Sequence, residues 1–344
     1  MIGTEFLKGQ GLGNQLFCYV SARCIAKDLG RDFGTAGQEQ LAVNIHSKKG
    51  MYFMDMDLGS PILDVNGFHI YREAEERLYL KNCAHDMANG CYVAGADENL
   101  YRIGDNTLIY GNLQAERYFI RHKEEIKEWL KVKAEFDSYE FCRDNLCIMN
   151  VRGGEYAGNR ALFLRRKYWL DAMKYMRSLR SDMEFMIVTD DVEAAKRLLP
   201  DIPAYHFELA KDYVTIKNAK YLILSNSTFA FFPAFTSETA VKIIAPKYWA
   251  RHNVSDGYWA SEQNIYEDFM YQDKKGRLFT ARECVEELEE YKEGKGSRRD
   301  VSYGQMSIKI KTAEDRFMYY TDKAAGKVRR LLGFDHLRKK QEKR

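Results

Sequence analysis

The chain has 344 residues, of which 45% are hydrophobic and 30% charged, and its formal net charge is +3. These totals describe a folded globular protein with room for two domains, and they exclude a disordered chain. The small positive balance argues against nucleic acid as the main partner. The seven cysteines are an odd number with no CxxC pair, so we expect free thiols, a reducing compartment and no zinc site.

A glycine-dense turn near the start leads directly into the first predicted helix. It reads GQGLGNQLF over residues 9–17, and the amphipathic helix is predicted over residues 15–29. Glycines let a ligand approach the backbone closely, and a helix start offers unpaired N–H donors to an anion. The dinucleotide-binding fingerprint does not fit, because its third glycine would fall on Asn14. The turn is therefore either one wall of a ligand site or an ordinary turn before a helix.

The next hundred residues give a weaker signal. Residues 34–101 contain short apolar pieces without a clear period, and no element is predicted there. A strand is predicted at residues 107–110, followed by the segment GNLQAERYF at 111–119 and a charged amphipathic helix at 123–133. The string Asp-Met-Asp at residues 55–57 could bind a metal, but it lies in the unassigned part and is given no weight.

Residues 146–246 alternate between strands and helices. Strands are predicted at 146–151, 185–189, 204–207, 221–224 and 241–245, and helices at 165–180, 192–199, 212–219 and 229–236. This alternation predicts a parallel sheet covered on both faces. Ligands of such sheets bind past the carboxyl ends of the strands. We therefore expect residues 150–156, 189–191 and 225–228 to form one cleft.

Side chains that follow these strands suit an anion site. Arg152 could fork two hydrogen bonds onto a phosphate, with the Glu155 carboxylate close by; the alternative is a surface turn held by an Arg152–Glu155 ion pair. Asp190 is a candidate nucleotide contact, whereas Asp191 suits the N-cap of the next helix. The run SNST at residues 225–228 could cradle a phosphate with hydroxyls and backbone amides, or could simply cap a helix.

Other motifs and the C-terminal part narrow the function classes. No HExxH, GxSxG or Walker pattern is present, which disfavours metalloprotease, hydrolase and P-loop functions. No apolar leader or membrane-length run is visible, so we expect a cytoplasmic protein. Residues 324–344 hold eight Lys/Arg against two Asp/Glu. This tail predicts either a basic helix in peripheral contact with the anionic inner face of the cell membrane or a solvated terminal helix.

Four motifs in this order resemble glycosyltransferase family 11, the bacterial and animal α-1,2-fucosyltransferases. The segments at residues 11–17, 111–119, 150–156 and 225–229 resemble the family's GLGNQ(M/L)F, GxxQ(S/A)ExYF, HxRRGDY and SNSTF, and residues 190–191 its SDD. The resemblance covers about residues 1–250. It implies an α/β fold of the GT-B type, with two Rossmann-like domains facing a cleft. The implied division is an acceptor-side domain at 1–143, a nucleotide-sugar-binding domain at 144–250 and a helical C-terminal extension at 251–344.

The resemblance also implies an activity and a set of site residues. It implies transfer of L-fucose from GDP-fucose to a galactose-type hydroxyl of a cell-surface glycan precursor, with inversion and without a metal or other cofactor. Arg152 then binds the diphosphate. Apart from the resemblance, Glu155 is our candidate for the general base or for orienting the acceptor. The remaining nucleotide-site residues are Asn150, Asp190, Ser225, Asn226, Ser227 and Thr228. The substrate-positioning residues are Gly13, Asn14, Gln15, Gln114 and Tyr118.

The chain departs from the family pattern at several motif positions. Asn150 replaces the motif histidine, Gly153 the second arginine and Glu155 the aspartate, and phenylalanines occupy positions 231 and 232 where tryptophans are usual. Asparagine can still donate and accept at a base edge. The loss of one arginine removes a charge that would stabilise a departing diphosphate. Two alternatives therefore stay open: a glycosyltransferase with another nucleotide-sugar donor, and a non-catalytic nucleotide- or glycan-binding relative.

Overall fold

The computed structural model describes residues 1–43, 47–74, 77–78, 93–249, 252–253, 262–293 and 324. Within these ranges the chain forms two separate, predominantly parallel β-sheets with helices packed against them. The predicted α/β class and the two Rossmann-like halves are therefore confirmed. The domain boundaries stay a prediction.

The first sheet is built from five short strands in the order β3-β2-β1-β7-β4, and every pairing is parallel. Their bounds are Ile2–Glu5 (β1), Phe33–Ala36 (β2), Ser60–Pro61 (β3), His69–Arg72 (β4) and Thr107–Tyr110 (β7). A separate antiparallel pair joins Arg77–Leu78 (β5) to Val93–Ala94 (β6). Of the five, only β7 was predicted. A Cβ on Gly3 would lie 2.6 Å from the Gly34 carbonyl oxygen, so the close packing of these two strands requires glycine. Strands are predicted from β-branched and aromatic residues, and a glycine in the strand weakens that prediction.

Within the described part of the chain, the second sheet has seven strands in the order β10-β9-β8-β11-β12-β13-β14. All pairings are parallel except that of the edge strand β14. The bounds are Leu146–Val151 (β8), Glu184–Thr189 (β9), Ala204–Tyr205 (β10), Tyr221–Leu224 (β11), Lys242–Pro246 (β12), Met270–Gln272 (β13) and Leu278–Thr280 (β14). The five strands predicted between residues 146 and 246 are confirmed, although β10 is two residues shorter. Strands β13 and β14 extend this sheet beyond residue 250.

The helices agree with the prediction in place, with differences at their ends. They span Leu12–Asp28 (α1), Lys123–Trp129 (α2), Arg166–Leu179 (α3), Val192–Leu198 (α4), Leu209–Lys217 (α5), Phe231–Phe235 (α6) and Ala281–Lys292 (α7). Helix α1 begins three residues earlier than predicted, and α5 begins at Leu209 rather than at residue 212. The helix predicted at 229–236 is a 3-10 turn, Thr228–Ala230, followed by the short α6. A helical segment in the predicted extension is confirmed by α7.

Helix α1 lies between the two halves of the molecule and is buried nearly all round. Thirteen of its seventeen residues are buried, so the predicted amphipathic character of this helix is wrong. One side of α1 packs on β1 and β2, and the other packs on the 3-10 turn and α6 of the second half. A helix covered on both sides needs apolar or small residues all round. Phe17 of α1 stacks on Phe231 with ring centroids 4.7 Å apart, inside a cluster that includes Phe119, Phe232 and Tyr266.

None of the helices in the described part of the chain is both long and apolar enough to cross a membrane. The basic tail predicted to contact a membrane lies outside the described residues, apart from Ala324. Membrane contact through residues 324–344 therefore stays a prediction.

Replacing Phe17 with alanine is expected to destabilise the protein by about 3–5 kcal/mol, because the side chain is fully buried in the aromatic cluster between the halves. Urea unfolding followed by circular dichroism measures the change. Leu179→Ala is the matched control, since Leu179 is 46% exposed, and its loss should be well under 1 kcal/mol. Equal losses for the two variants would contradict the role given to α1.

Candidate functional site

A cleft with a cavity volume of about 210 Å³ lies where the start of α1 meets the carboxyl ends of the second sheet's strands. Of the predicted site residues, the structure brings eight to its walls: Gly13, Asn14, Asn150, Arg152, Glu155, Asp190, Ser227 and Thr228. The enclosed volume is below the roughly 300–1,000 Å³ of drug-sized ligand sites. A ligand as large as a nucleotide sugar would therefore extend beyond the enclosed part.

Arg152 follows β8 and is held between two carboxylates. Its Nη2 lies 3.1 Å from Glu155 Oε1, and its Nη1 lies 2.6 Å from Asp190 Oδ2. Asp190 is only 11% exposed and also accepts a hydrogen bond from the Gly153 N–H at 2.7 Å, whereas Glu155 is 63% exposed. The predicted Arg152–Glu155 ion pair thus exists, and it lies in the wall of the cleft. The exposed Glu155 can leave the guanidinium more easily than the nearly buried Asp190.

The turn after Arg152 has no room for the second arginine of the family motif. A Cβ at Gly153 would lie 2.5 Å from the Cβ of Asp191, and Gly154 has a φ of +42°, which side chains rarely adopt. Asp191 is fixed in that position because its carboxylate accepts a hydrogen bond from Ala194 N–H at 2.9 Å. The predicted N-cap role of Asp191 is therefore confirmed. The capping residue Asp191 therefore packs against Gly153 and leaves no space for a side chain there.

The SNST run divides into two lining residues and two supporting ones. Ser227 and Thr228 line the cleft, and neither hydroxyl makes a hydrogen bond to another residue of the described chain. Ser225 Oγ instead donates to Asn150 Oδ1 at 3.2 Å, and Asn226 Nδ2 donates to the Leu162 carbonyl at 3.1 Å. Ser225 and Asn226 therefore position the turn from behind.

The amide of Asn150 is largely used within the second sheet. Its Oδ1 accepts the hydrogen bond from Ser225, and its Nδ2 lies 3.4 Å from the Val188 carbonyl. Asn150 lines the cleft but is only 5% exposed. It therefore ties β8 to its neighbours β9 and β11 at the base of the cleft.

Three of the predicted substrate-positioning residues are absent from the described walls of the cleft. The amide of Gln15 binds the loop after β2, donating to the Gln40 carbonyl at 3.0 Å and accepting from Ala42 N–H at 2.7 Å. The buried Tyr118 hydroxyl donates to Glu73 at 3.0 Å. Gln114 is half-buried. Gln15 and Tyr118 thus organise the first half of the chain, and a direct substrate contact by these three residues stays a prediction.

The start of α1 forms the facing wall. A Cβ on Gly13 would lie 2.3 Å from the Thr228 carbonyl carbon, so the helix backbone touches the turn that carries Thr228. Asn14, the next residue, is exposed and lines the cleft, and its amide makes no hydrogen bond to the rest of the described chain. The glycine turn is therefore a wall of the cleft.

The structure adds two functional candidates that the sequence analysis missed, His206 and Asp212. Both line the cleft, and His206 Nδ1 lies 2.9 Å from Asp212 Oδ2. Hydrogen bonding to Asp212 raises the pKa of His206 above its ordinary value, and the nearby Asp190 adds to the shift. In the structure His206 directly follows β10, as Arg152 follows β8 and Asp190 follows β9. The sequence analysis missed this signal because its predicted strand ran two residues too far, to residue 207.

The acidic string at residues 55–57 lies away from the cleft. Asp57 pairs with Arg23 at 2.9 Å, and Asp55 with Lys133 at 3.2 Å. Within the described ranges, no group of three or more His, Cys, Asp or Glu side chains could hold a metal ion. Metal independence stays a prediction.

No family model matches the chain. The chain is 27% identical over 159 residues to an alpha-1,2-colitosyltransferase from Escherichia coli, across 40% of this chain and 54% of the relative. The chain thus spans about half the length of this curated relative. The similarity to this alpha-1,2-colitosyltransferase supports the resemblance drawn from the motifs.

Solved fucosyltransferase structures are also similar to the chain. The NodZ alpha-1,6-fucosyltransferase soaked with GDP-fucose matches with a TM-score of 0.40 and 13% identity, over 71% of this chain and 94% of that one. POFUT1 in complex with GDP-fucose matches with a TM-score of 0.43 and 10% identity, over 71% and 96%. Because both TM-scores are below 0.5, the evidence for the two-sheet architecture is the strand pairing of this chain itself.

Replacing Gly13 with alanine is expected to push α1 away from the turn at Thr228 and to destabilise the protein by about 1–3 kcal/mol, because the new Cβ would overlap backbone atoms of that turn. Urea unfolding followed by circular dichroism measures the change. Gly11→Ala is the matched control, since no atom of the described chain lies within 4 Å of a Cβ there and its φ is −65°. Wild-type stability in the Gly13 variant would contradict this account of the wall.

Proposed function

We propose that the chain is an inverting glycosyltransferase that uses a GDP-sugar donor. The observation that carries the proposal is the cleft between the two halves, where Arg152, Ser227 and Thr228 face the start of α1. The two hydroxyls make no hydrogen bond within the described chain and are available to a ligand. One cation, two hydroxyls and exposed backbone at a strand end suit a phosphate group. The colitosyltransferase similarity supports sugar transfer as the reaction class.

The finer proposal is transfer of L-fucose to the 2-hydroxyl of a galactose-type acceptor on a cell-surface glycan precursor. It rests on the ordered family 11 motifs. The similarity to a colitosyltransferase favours a second candidate, transfer of another sugar, such as colitose, from its own nucleotide-sugar donor. The two candidates share one site and one chemistry, and differ only in the pocket that receives the sugar.

The proposed reaction is a single displacement at the anomeric carbon. The acceptor hydroxyl forms the new C–O bond while the bond to the diphosphate breaks, through an oxocarbenium-like transition state. Arg152 stabilises the negative charge that develops on the leaving diphosphate. The diphosphate takes the place of Glu155 on Nη2, since Glu155 is the exposed partner, while Asp190 keeps the guanidinium oriented through Nη1.

Once displaced, Glu155 becomes available as the general base. Its carboxylate is three residues from Arg152 and is exposed, so it can turn toward an acceptor hydroxyl. The acceptor proton then passes to Glu155, and the electron pair of the broken bond leaves with the diphosphate. The mechanism uses no metal, and equal rates with magnesium, with manganese and with a chelator are expected.

A panel of GDP- and UDP-sugars, scored by nucleotide release with a galactoside acceptor, tests the function. GDP-fucose is expected to be turned over, and Arg152→Ala is expected to lower kcat by roughly 10²–10³-fold, because the diphosphate loses its charged donor. Arg143→Ala is the matched control, since Arg143 is half-exposed and pairs with Glu184 away from the cleft. Turnover of another sugar would support the second candidate, and tight nucleotide binding without turnover would indicate a non-catalytic relative.

Glu155→Gln is expected to lower kcat by roughly 10²-fold or more while leaving GDP affinity unchanged or tighter, because it removes the base and also the carboxylate that competes for Arg152. Initial rates and calorimetry on the same variant separate the two effects. Glu193→Gln, an exposed carboxylate on α4 outside the cleft, is the control. Weaker GDP binding with normal kcat would show that Glu155 serves only to hold the turn.

A further inference from the structure

His206 is presented to the cleft with a fixed ring. Its Nδ1 is taken by Asp212 Oδ2 at 2.9 Å, and Asp212 Oδ1 accepts a hydrogen bond from the Phe207 N–H at 3.0 Å. The Asp212 side chain is only 8% exposed, whereas that of His206 is 39% exposed. A buried carboxylate anchored to backbone thus sets the orientation of an accessible imidazole, and it favours the doubly protonated ring.

The balance of charges that line the cleft depends on whether this imidazole is protonated. Among the described lining residues, the basic side chains are Arg152 and His206, and the acidic ones are Glu155, Asp190 and Asp212. Arg152 already contacts Glu155 and Asp190. If His206 were neutral, one cation would face three carboxylates, and a diphosphate would add further negative charge to the same space. Binding an anion there requires a second positive group or the loss of a carboxylate.

We propose that His206, oriented and charged by Asp212, is a second cationic contact for the diphosphate of the donor. This inference rests on the proposed function and identifies an additional binding residue for it. The Asp212 carboxylate is paired with the imidazolium. The carboxylates that contact Arg152 are Glu155 and Asp190. His206 therefore supplies a second positive charge to the cleft, where a side chain at position 153, next to Arg152, would clash with the Cβ of Asp191.

Donor affinity should then depend on pH in a defined direction. The groups that face His206 are Asp212 from α5, and Asp190 and the Thr189 carbonyl from the end of β9; all three raise its pKa, and partial burial opposes them. Glu208, four residues before Asp212 in the sequence, forms an ion pair with Lys49 and not with His206. The imidazolium persists to higher pH than an ordinary histidine, and it is lost as pH rises through the raised pKa. Affinity for a diphosphate therefore falls over the same range.

Calorimetry with GDP-fucose from about pH 6 to about pH 8.5 tests the proposal, because this range extends upward from the ordinary histidine pKa of about 6.5. His206→Gln is expected to bind GDP-fucose about tenfold to a hundredfold more weakly than wild type at the low end, with little pH dependence. Asp212→Asn is expected to shift the pH midpoint downward, because the ring loses the charge that keeps it protonated. His69→Gln, on β4 of the other sheet, is the matched control.

Uncharged guanosine, measured by competition, shows which part of the donor His206 contacts. A loss confined to GDP-fucose supports the diphosphate contact, whereas an equal loss for guanosine would overturn it. Wild-type affinity and pH profile in His206→Gln, with native circular dichroism, would overturn it as well. Failure of wild type to bind any nucleotide sugar would instead refute the proposed function, so the two failures are distinguishable.

Discussion

The contact between the start of α1 and the turn at Thr228 is the constraint on which the cleft depends. Gly13 lets two backbones touch where any Cβ would be 2.3 Å from a carbonyl carbon, and one helical turn later Phe17 stacks on Phe231 at 4.7 Å. The backbone contact sets the spacing of the two halves, and the aromatic cluster supplies the free energy that maintains it. Because the same helix start also lines the cleft, packing between the halves and the shape of the ligand site cannot vary independently.

Charge within the cleft is arranged in pairs of unequal burial. Arg152 shares its guanidinium between the exposed Glu155 and the nearly buried Asp190, and His206 is bound to the buried Asp212. The carboxylates with little exposure, Asp190 and Asp212, fix the orientation of their basic partners. The exposed carboxylate, Glu155, is the one that a ligand can displace. Buried partners make the arrangement costly to break, whereas an exposed ion pair contributes little to stability and can exchange for a phosphate.

The motif residues divide into those that face the cleft and those that hold its walls. Within the SNST run, Ser227 and Thr228 face the cleft, while Ser225 binds Asn150 and Asn226 binds a backbone carbonyl. In the other half, the carboxylate of Glu73 accepts hydrogen bonds from the Leu113 N–H and from Tyr118. A short motif can therefore match a family throughout while only part of it can touch a ligand.

The sequence by itself determined five strands of the second sheet, because strands buried on both faces read as continuous apolar runs and polar residues follow their ends. It also placed Arg152, Asp190 and the SNST run at one edge, since parallel strands end together. Only the tertiary structure decided the short glycine-bearing strands of the first sheet, the burial of Gln15 and the pairing of His206 with Asp212. Those features depend on contacts between residues that are far apart in sequence or on backbone packing too close for a side chain, and neither leaves a periodic signal.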